Sequence, residues 1–402
     1  MERKEIIFDG YFYDVTEFIK RHPGGSIILD YTKSGEDGTH AIQQFHHRSF
    51  DKVKKMMGSF KKRPVTDSDL DLDPQVLKKN RALSEDFTKL YKDLVKEGFF
   101  EPSHTYNAVR MVELLAMWYV GYLLLQWPYN VAKYAGLFLI GFSQGRVGWV
   151  GHECGHYSFL GFPKFDRYFQ MFLHGTIGGA SATWWRRGHN RHHAMPQRLN
   201  HDIDLSTVPL LAYNTKVVKN NAEGKGFLIK HQTYFFPLVS PLLGGIFWRF
   251  YKVPKFLIKN RLYIEILALI AHYVIYLYLV GFWVGFFSSW MAASYIFLNF
   301  ALSHTYLPVT TQPMHWVEYA LVHTADVEQT RWCDYWMGFL NYQIEHHLFP
   351  AMPQFRQPLI IDRVKTLAKK HNLPYICYSY AEAIRQTYLN LHKVSQELID
   401  AE

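Results

Sequence analysis

The stretch VAKYAGLFLIGFSQGRVGWVG, residues 131–151, runs directly into the histidine-rich HECGH at 152–156. It is largely apolar, with Lys133 and Arg146 toward its ends, and it is long enough to cross the roughly 30 Å hydrocarbon layer of a membrane. The short sequence WPYN separates it from another apolar stretch, NAVRMVELLAMWYVGYLLLQW at 107–127. Two adjacent apolar stretches joined by a short loop predict a hairpin of transmembrane helices.

A second pair of apolar stretches lies at 263–287 and 288–307, which makes four predicted transmembrane helices in two hairpins. The alternative is a set of buried core helices, but the tight pairing and the Trp and Tyr residues at the ends favour a membrane. Two further apolar patches, 168–183 and 233–248, are interrupted by polar residues, Gly or Pro. We interpret these patches as interfacial or re-entrant segments of a mostly α protein.

The distribution of charge predicts the orientation of the hairpins. The segment 151–262 carries 15 Lys and Arg against 5 Asp and Glu, whereas the loops inside the hairpins carry neither Lys nor Arg. By the positive-inside rule, this segment and both termini lie in the cytosol. The net charge of +9 is thereby explained at the membrane surface. No basic stripe or nucleic-acid-binding motif accompanies it, so we expect no nucleic acid as a partner.

Three histidine-rich clusters lie on the predicted cytosolic side: HECGH at 152–156, HNRHH at 189–193 and QIEHH at 343–347. Residues at i, i+3 and i+4 of a helix share a face, so each cluster presents its side chains together. Neutral imidazoles bind transition metals, and there are more of them here than one ion needs. The candidate ligands and catalytic residues are His152, His156, His189, His192, His193, His346, His347 and Gln343, with His304 as a further candidate ligand.

Two alternatives accompany this metal centre. The first cluster also matches the H-E-x-x-H pattern of zinc hydrolases, with Glu153 as the base, but that pattern gives the other clusters no role. We rank it below oxygen chemistry on an apolar substrate. Asp202 and Asp204 either orient ligand histidines from behind or belong to a polar loop. Trp184 and Trp185 either line an acyl tunnel or lie at the membrane interface, which we favour slightly.

The three clusters, with WWRRGHNRHH and HDIDL around the second, closely resemble those of the membrane fatty acid desaturases over about residues 105–375. Gln343 at the head of the third cluster resembles the front-end desaturases of that family. The resemblance implies the histidine-box desaturase fold and a centre of two non-haem iron ions, held mainly by the histidines named above. Such a centre uses O₂ to remove two hydrogens from adjacent methylenes of an acyl chain. Gln343 would ligate weakly or accept a hydrogen bond from a metal-bound water.

The N-terminal residues resemble a different family. FDGYFYDVTEFIKRHPGG at 8–25, followed by DGTHAIQQFHHRS at 37–49, resembles the haem-binding core of cytochrome b5, an α+β domain. The resemblance implies that His22 and His46 bind haem b from opposite sides. His47 is an adjacent rival for the second position, and we expect His40 to be a surface residue.

These resemblances divide the chain into three parts. Residues 1–61 form the cytochrome b5-like domain, and residues 81–402 form the desaturase domain. The Asp-, Ser- and Pro-rich segment 62–80 between them predicts a linker.

We therefore expect a front-end desaturase of the Δ5/Δ6 type, which inserts a cis double bond between an existing one and the carboxyl end of a polyunsaturated acyl chain. Its substrate would be a fatty acyl-CoA or a phospholipid-bound acyl chain. Its electrons would come from NADH through cytochrome b5 reductase. The family, the topology and three cysteines without a disulfide pattern favour the endoplasmic reticulum membrane. The alternatives are a sphingolipid long-chain-base desaturase, an acyl hydroxylase and a non-catalytic membrane haem electron carrier.

Overall fold

The computed structural model describes residues 2–32, 36–218 and 226–400. Its N-terminal part is a three-stranded antiparallel sheet in the order β1-β2-β3 with short helices against it. Ile6 and Tyr13 from the first two strands, with Val15 directly after the second, pack against Ile28 and Met57 from the helical part. The elements are β1 Glu5–Phe8, β2 Tyr11–Asp14, α1 Thr39–Phe45, α2 Phe50–Met57 and β3 Lys62–Pro64.

The predicted linker at 62–80 is built into the units on either side of it. Its first residues form β3, which pairs with β2. Its last residues begin helix α3, Pro74–Lys96, where the Asp73 side chain accepts a hydrogen bond from the Gln75 N–H at 2.7 Å. The Asp and Pro that suggested a linker are therefore the N-cap and first residue of a helix, positions that these residue types favour.

Nine helices of the described residues follow between 104 and 301. They are α4 His104–Leu125, α5 Asn130–Gly155, α6 Pro163–Met171, α7 Ala182–Ala194, α8 Phe227–Lys230, α9 Gln232–Pro241, α10 Val253–Lys259, α11 Tyr263–Leu279 and α12 Gly281–Ala301. Glycines let α4 and α5 touch closely, because a Cβ on Gly121 would lie 2.9 Å from the Gly136 carbonyl oxygen. Small residues permit such close approach between membrane helices.

Among the described residues, two helices, α4 and α12, are long and apolar enough to cross a membrane. Helix α11 is apolar but has 17 residues, and α5 buries Gln144 and Arg146 along its length. By length and composition, α4 and α12 are thus candidate membrane spans, whereas the spanning of a membrane by α5 and α11 stays a prediction. The predicted boundary between 287 and 288 is wrong, because the turn lies at Val280, before Gly281 with a φ of +76°.

The two patches predicted as interfacial or re-entrant form irregular helices against the second hairpin. In the first, α6 continues into a π-helical turn at Phe172–Ile177, which packs on α11. In the second, α9 contains Pro237 and Pro241 and continues as a π-helical segment, Leu242–Lys252. Proline lacks the backbone N–H that regular helix needs, which explains the irregular turn after α9.

The C-terminal part completes the core and holds the third histidine cluster. Phe349 follows this cluster in sequence, and its ring stacks on that of Phe87 from α3, with ring centroids 5.2 Å apart. The elements are α13 Trp316–His323, β4 Asp326–Val327, α14 Arg331–Met337, α15 Gln343–Leu348, α16 Ile361–Lys370, β5 Cys377–Tyr378 and α17 Tyr380–Asp400.

Candidate metal centre

Three helices carry the three histidine clusters to one place. Helix α5 ends at the first cluster, and α7 carries the second. The N-cap of α7 is Ser181, whose hydroxyl accepts a hydrogen bond from the Trp184 N–H at 3.0 Å. Helix α15 carries the third cluster, and all six of its residues are buried. The clusters, far apart in sequence, therefore meet in the interior.

Five histidines form the larger of two groups, which we call the five-histidine cluster: His152, His156, His189, His193 and His346. Ligand nitrogens from all five lie within 4.8 Å of one another. The Nε2 atom of His189 lies 3.0 Å from Nε2 of both His156 and His193. Two nitrogens bound at right angles to one ion by bonds of about 2.1 Å lie about 3 Å apart, so this spacing fits a shared metal.

Three histidines, His192, His304 and His347, form the second group, the three-histidine cluster. The ring centroids of His192 and His304 are 4.6 Å apart, and those of His304 and His347 are 5.0 Å apart. The two clusters are in contact through His193 and His347, whose rings stack with centroids 4.2 Å apart. Gln343, four residues before His347 on the same helix, lies beside His304, and its Nε2 donates a hydrogen bond to the Leu340 carbonyl at 3.0 Å.

Two members of the three-histidine cluster, His192 and His304, have hydrogen-bond acceptors for their outward-facing nitrogens. Nδ1 of His192 donates to Asp202 Oδ2 at 3.0 Å, and Asp204 lies farther away at 3.4 Å. Nδ1 of His304 donates to the His323 carbonyl at 3.0 Å. Burial lowers the pKa of His192, but the Asp202 and Asp204 carboxylates more than reverse this and bring it to about 9. This pKa describes loss of one of the two ring protons of the charged imidazole. Because Asp202 holds the proton on Nδ1, the proton that is lost is the one on Nε2, and a metal ion would compete for that nitrogen.

The inward nitrogens test whether a metal fits. Within the described part of the chain, buried nitrogens without a hydrogen-bond partner include Nε2 of His152, Nε2 of His346 and both ring nitrogens of His347. Leaving buried polar atoms unpaired is costly, and a bound ion would satisfy them. Neutral imidazoles suit iron, copper, nickel or zinc. The residues therefore fit a two-metal centre.

His22 and His46 face each other in the N-terminal part, with ring centroids 6.3 Å apart. Iron–nitrogen bonds of about 2 Å leave about this separation between two imidazoles on one haem iron. Nδ1 of His22 donates to the Gly25 carbonyl at 3.0 Å, and Nδ1 of His46 donates to the Ile42 carbonyl at 2.9 Å. Burial lowers the pKa of both rings, which favours the neutral form that binds metal.

The other two histidines of this part lie elsewhere. His47 bonds to the Tyr91 hydroxyl at 2.6 Å and faces Phe100. His40, which we expected at the surface, is buried, with its Nε2 3.1 Å from Ser84 Oγ. The expectation for His40 is wrong because α3 covers the face of α1 on which it lies.

The sequence matches the family model "Fatty acid desaturase" over residues 126–379 and the model "Cytochrome b5-like Heme/Steroid binding domain" over residues 2–66. The chain belongs to the fatty acid desaturase family. It is 41% identical over 404 residues to an "Acyl-lipid (8-3)-desaturase" of Rebecca salina, covering 98% of this chain and 92% of that protein. A protein of the same name from Thraustochytrium sp is 37% identical over 413 residues, covering 99% and 93%.

The predictions of a cytochrome b5 domain fused to a front-end desaturase, and of an oxygen-dependent desaturase as the enzyme class, are thus confirmed. Its cytochrome b5-like domain suggests haem as a cofactor, and its family implies iron and O₂. The assignment of individual ligand residues remains a proposal.

Two cavities of about 180 and 230 Å³ lie beside the histidines of the desaturase. The first reaches His152, and the second reaches His192, His304 and Gln343. Both are lined by Trp184, Trp185, Trp248, Ile296, Phe297 and Phe300. Trp184 and Trp185 therefore line cavities beside the histidines, whereas the membrane-interface position that we favoured slightly for them stays a prediction. The other four lining residues carry no motif, so the sequence could not single them out.

Glu153 does not face the histidines as a zinc-hydrolase base would. Its carboxylate pairs with the Arg110 guanidinium at 2.5 Å and accepts the Gln354 backbone N–H at 3.0 Å. Both partners are buried. Glu153 therefore holds α4, α5 and the segment after the third box together, and the zinc-hydrolase alternative has no base in the right place.

The cytochrome b5-like domain packs directly on α7, the helix that carries the second histidine cluster. The Tyr31 hydroxyl donates to the Ala194 carbonyl at 3.1 Å, and Asp30 pairs with Arg191 at 3.6 Å. A Cβ on Gly25 would lie 3.8 Å from Nε of Arg187. No sequence motif marks these contacts. They place the loop that follows His22 against the helix that carries three of the clustered histidines.

Proposed function

We propose that this desaturase acts on an acyl chain esterified in a lipid and inserts a cis double bond between an existing double bond and the carboxyl end. The observation that carries the proposal is the pair of apolar cavities that reach both histidine clusters. The name of the two relatives supports the acyl-lipid substrate. We interpret its numbers as an existing bond at C8 and an insertion three carbons nearer the carboxyl group, which is Δ5 chemistry within the proposed Δ5/Δ6 type.

In this proposal the five-histidine cluster holds one iron ion, and the three-histidine cluster holds the other. Iron bound there supplies the activation of O₂ that removal of hydrogen from an unactivated methylene requires. Trp185, Phe297 and Phe300 orient the acyl chain and keep water away from the reacting carbons. Asp202 holds the proton on Nδ1 of His192, which keeps Nε2 available to the metal.

The reaction also needs electrons and protons. Each turnover takes two hydrogens from the acyl chain, one O₂, two electrons and two protons, and it releases two water molecules. His22 and His46 would hold haem b, which would supply one-electron transfer from NADH–cytochrome b5 reductase to the iron centre. Because the domain is tethered and packs on α7, its effective concentration at the iron centre is of millimolar order or higher. We place this activity in the endoplasmic reticulum membrane with both termini cytosolic.

The experiment is expression in a yeast that makes no polyunsaturated fatty acids. The cells receive a panel of unsaturated acids, and mass spectrometry locates each new double bond. We expect a new bond on the carboxyl side of an existing one, appearing first in phospholipid. Appearance first in the acyl-CoA pool would overturn the acyl-lipid substrate.

A His192→Ala variant provides the inactive control for this experiment. A hydroxylated product, or a product found only in sphingoid bases, would overturn the proposed reaction.

A further inference from the structure

Two buried glutamines lie behind the five-histidine cluster on a short 3₁₀ helix, Gln354–Ile360. Gln354 and Gln357 are 1% and 0% exposed. They are three residues apart, and a 3₁₀ helix has three residues per turn, so their side chains project from the same edge. Pro353 before the helix and Pro358 within it are compatible with this tight turn.

Each glutamine side chain contacts the Nδ1 atom of a different histidine of the five-histidine cluster. The amide nitrogen Nε2 of Gln354 lies 2.7 Å from Nδ1 of His152, and Nε2 of Gln357 lies 3.3 Å from Nδ1 of His346. The amide oxygens of both glutamines are buried without a hydrogen-bond partner among the described residues. These histidines come from the first and third boxes, and their ring centroids are 4.6 Å apart. One helical edge therefore contacts two ligands from opposite ends of the desaturase domain.

The inner nitrogens of the same two rings decide the direction of these hydrogen bonds. Nε2 of His152 and Nε2 of His346 are buried without a partner among the described residues. A neutral imidazole that binds metal through Nε2 carries its hydrogen on Nδ1, which then needs an acceptor. The amide nitrogens that lie there would then set two donors against each other. The metal-bound state therefore requires each carboxamide to be turned about its last bond, so that the unpaired oxygen faces Nδ1.

We propose that Gln354 and Gln357 are positioning residues for the iron centre. Their carboxamide oxygens accept hydrogen bonds from Nδ1–H of His152 and His346, which fixes the tautomer and ring orientation of both. This inference rests on the proposed function, since it needs the five-histidine cluster to bind iron.

The test measures iron affinity of the purified full-length protein by competition with a chelator, beside haem absorbance as a check on folding. Gln354→Leu and Gln357→Leu remove the acceptors, whereas Gln354→Glu and Gln357→Glu keep an acceptor of similar size. The backbone N–H of Gln354 that bonds to Glu153 remains in every variant. The matched control is Gln232→Leu, since Gln232 is equally buried but bonds to the backbone of Ala212 and Leu391.

We expect each leucine variant to weaken iron binding by about 10- to 100-fold, as loss of a hydrogen-bond partner behind a metal ligand does elsewhere. The glutamate variants should bind iron at least as tightly as the wild type. Wild-type affinity in both leucine variants, or equal loss in the glutamate variants or in Gln232→Leu, would overturn the inference. If a leucine variant fails to fold, the glutamate variants decide alone. Absence of iron from the wild type would instead refute the proposed function.

Discussion

The two histidine clusters, each proposed to hold one iron ion, differ in the number of histidines and in the groups that contact the outer nitrogens of those histidines. The five-histidine cluster has many imidazoles, and the groups behind His152 and His346 are the uncharged amides of Gln354 and Gln357. The three-histidine cluster has few imidazoles, but the carboxylate of Asp202 stands behind one of them. Where imidazoles are few, a negative charge makes the remaining ones better ligands.

The comparison also gives Gln343 a place. It lies beside His304, in the cluster with fewer histidines. It also lines the cavity next to that cluster. We infer that the third box begins with glutamine because the three-histidine cluster keeps one position for something other than protein nitrogen.

The largest expected effect separates the two clusters directly. His192→Ala leaves the three-histidine cluster two imidazoles, and we expect it to lose its iron and all measurable desaturation, more than the 10- to 100-fold typical of outer partners. His156→Ala leaves four imidazoles in its cluster and should keep iron with a smaller loss of rate. Iron content and product yield measure both, with the exposed His104→Ala as control. Equal loss of iron in the two variants would contradict the comparison.

The next effect concerns the carboxylate. Asp202→Asn removes the nearer of the two carboxylate charges that raise the pKa of His192. This pKa should therefore fall, and the iron affinity of that cluster should drop by about 10- to 100-fold. Asp204→Asn is the matched control, because its carboxylate lies farther from Nδ1 of His192 and its side chain is 56% exposed. Chelator titration would follow the change. A larger loss of iron affinity in Asp204→Asn than in Asp202→Asn would contradict the assignment of Asp202 as the supporting carboxylate.

A third variant separates the electron supply from both clusters. His22→Ala should abolish haem absorbance while both clusters keep their iron, and desaturation should fall about 10-fold because electrons then have to come from an untethered carrier. His47→Ala should keep its haem, since that ring bonds to Tyr91. Retention of haem in His22→Ala would disprove the proposed ligation.

The smallest effect sharpens the comparison at Gln343. Gln343→His supplies the ligand-poor cluster with another imidazole, so iron should bind a few-fold more tightly while desaturation slows a few-fold, because a coordination position becomes occupied. Gln343→Asn, which keeps the amide but shortens it, is the control. Faster desaturation in Gln343→His would contradict our account of this position.

Local patterns in the sequence were enough to predict the helical boxes and the haem-binding segment. The i, i+3, i+4 spacing of His189, His192 and His193 predicts a helix, and α7 is one. The division into five and three histidines could not be predicted, because His192 and His193 are neighbours in sequence yet belong to different clusters. That division depends on how α5, α7 and α15 meet.

Other features were missed for identifiable reasons. A lone glutamine has no motif, so Gln354 and Gln357 gave no signal. The sequence of segment 62–80 predicts a linker, but its ends belong to β3 and α3, because Asp and Pro are common both in linkers and at helix starts. The turn at Val280 was missed because apolar residues continue through it on both sides. The position of a turn inside a long apolar stretch depends on packing rather than on hydropathy.

The most direct measurement is the iron and haem content of the purified full-length protein. The account predicts about two non-haem iron ions and about one haem per chain, one iron for each histidine cluster. A single iron, or none, in a protein that holds its haem and desaturates lipid would contradict the two-cluster centre.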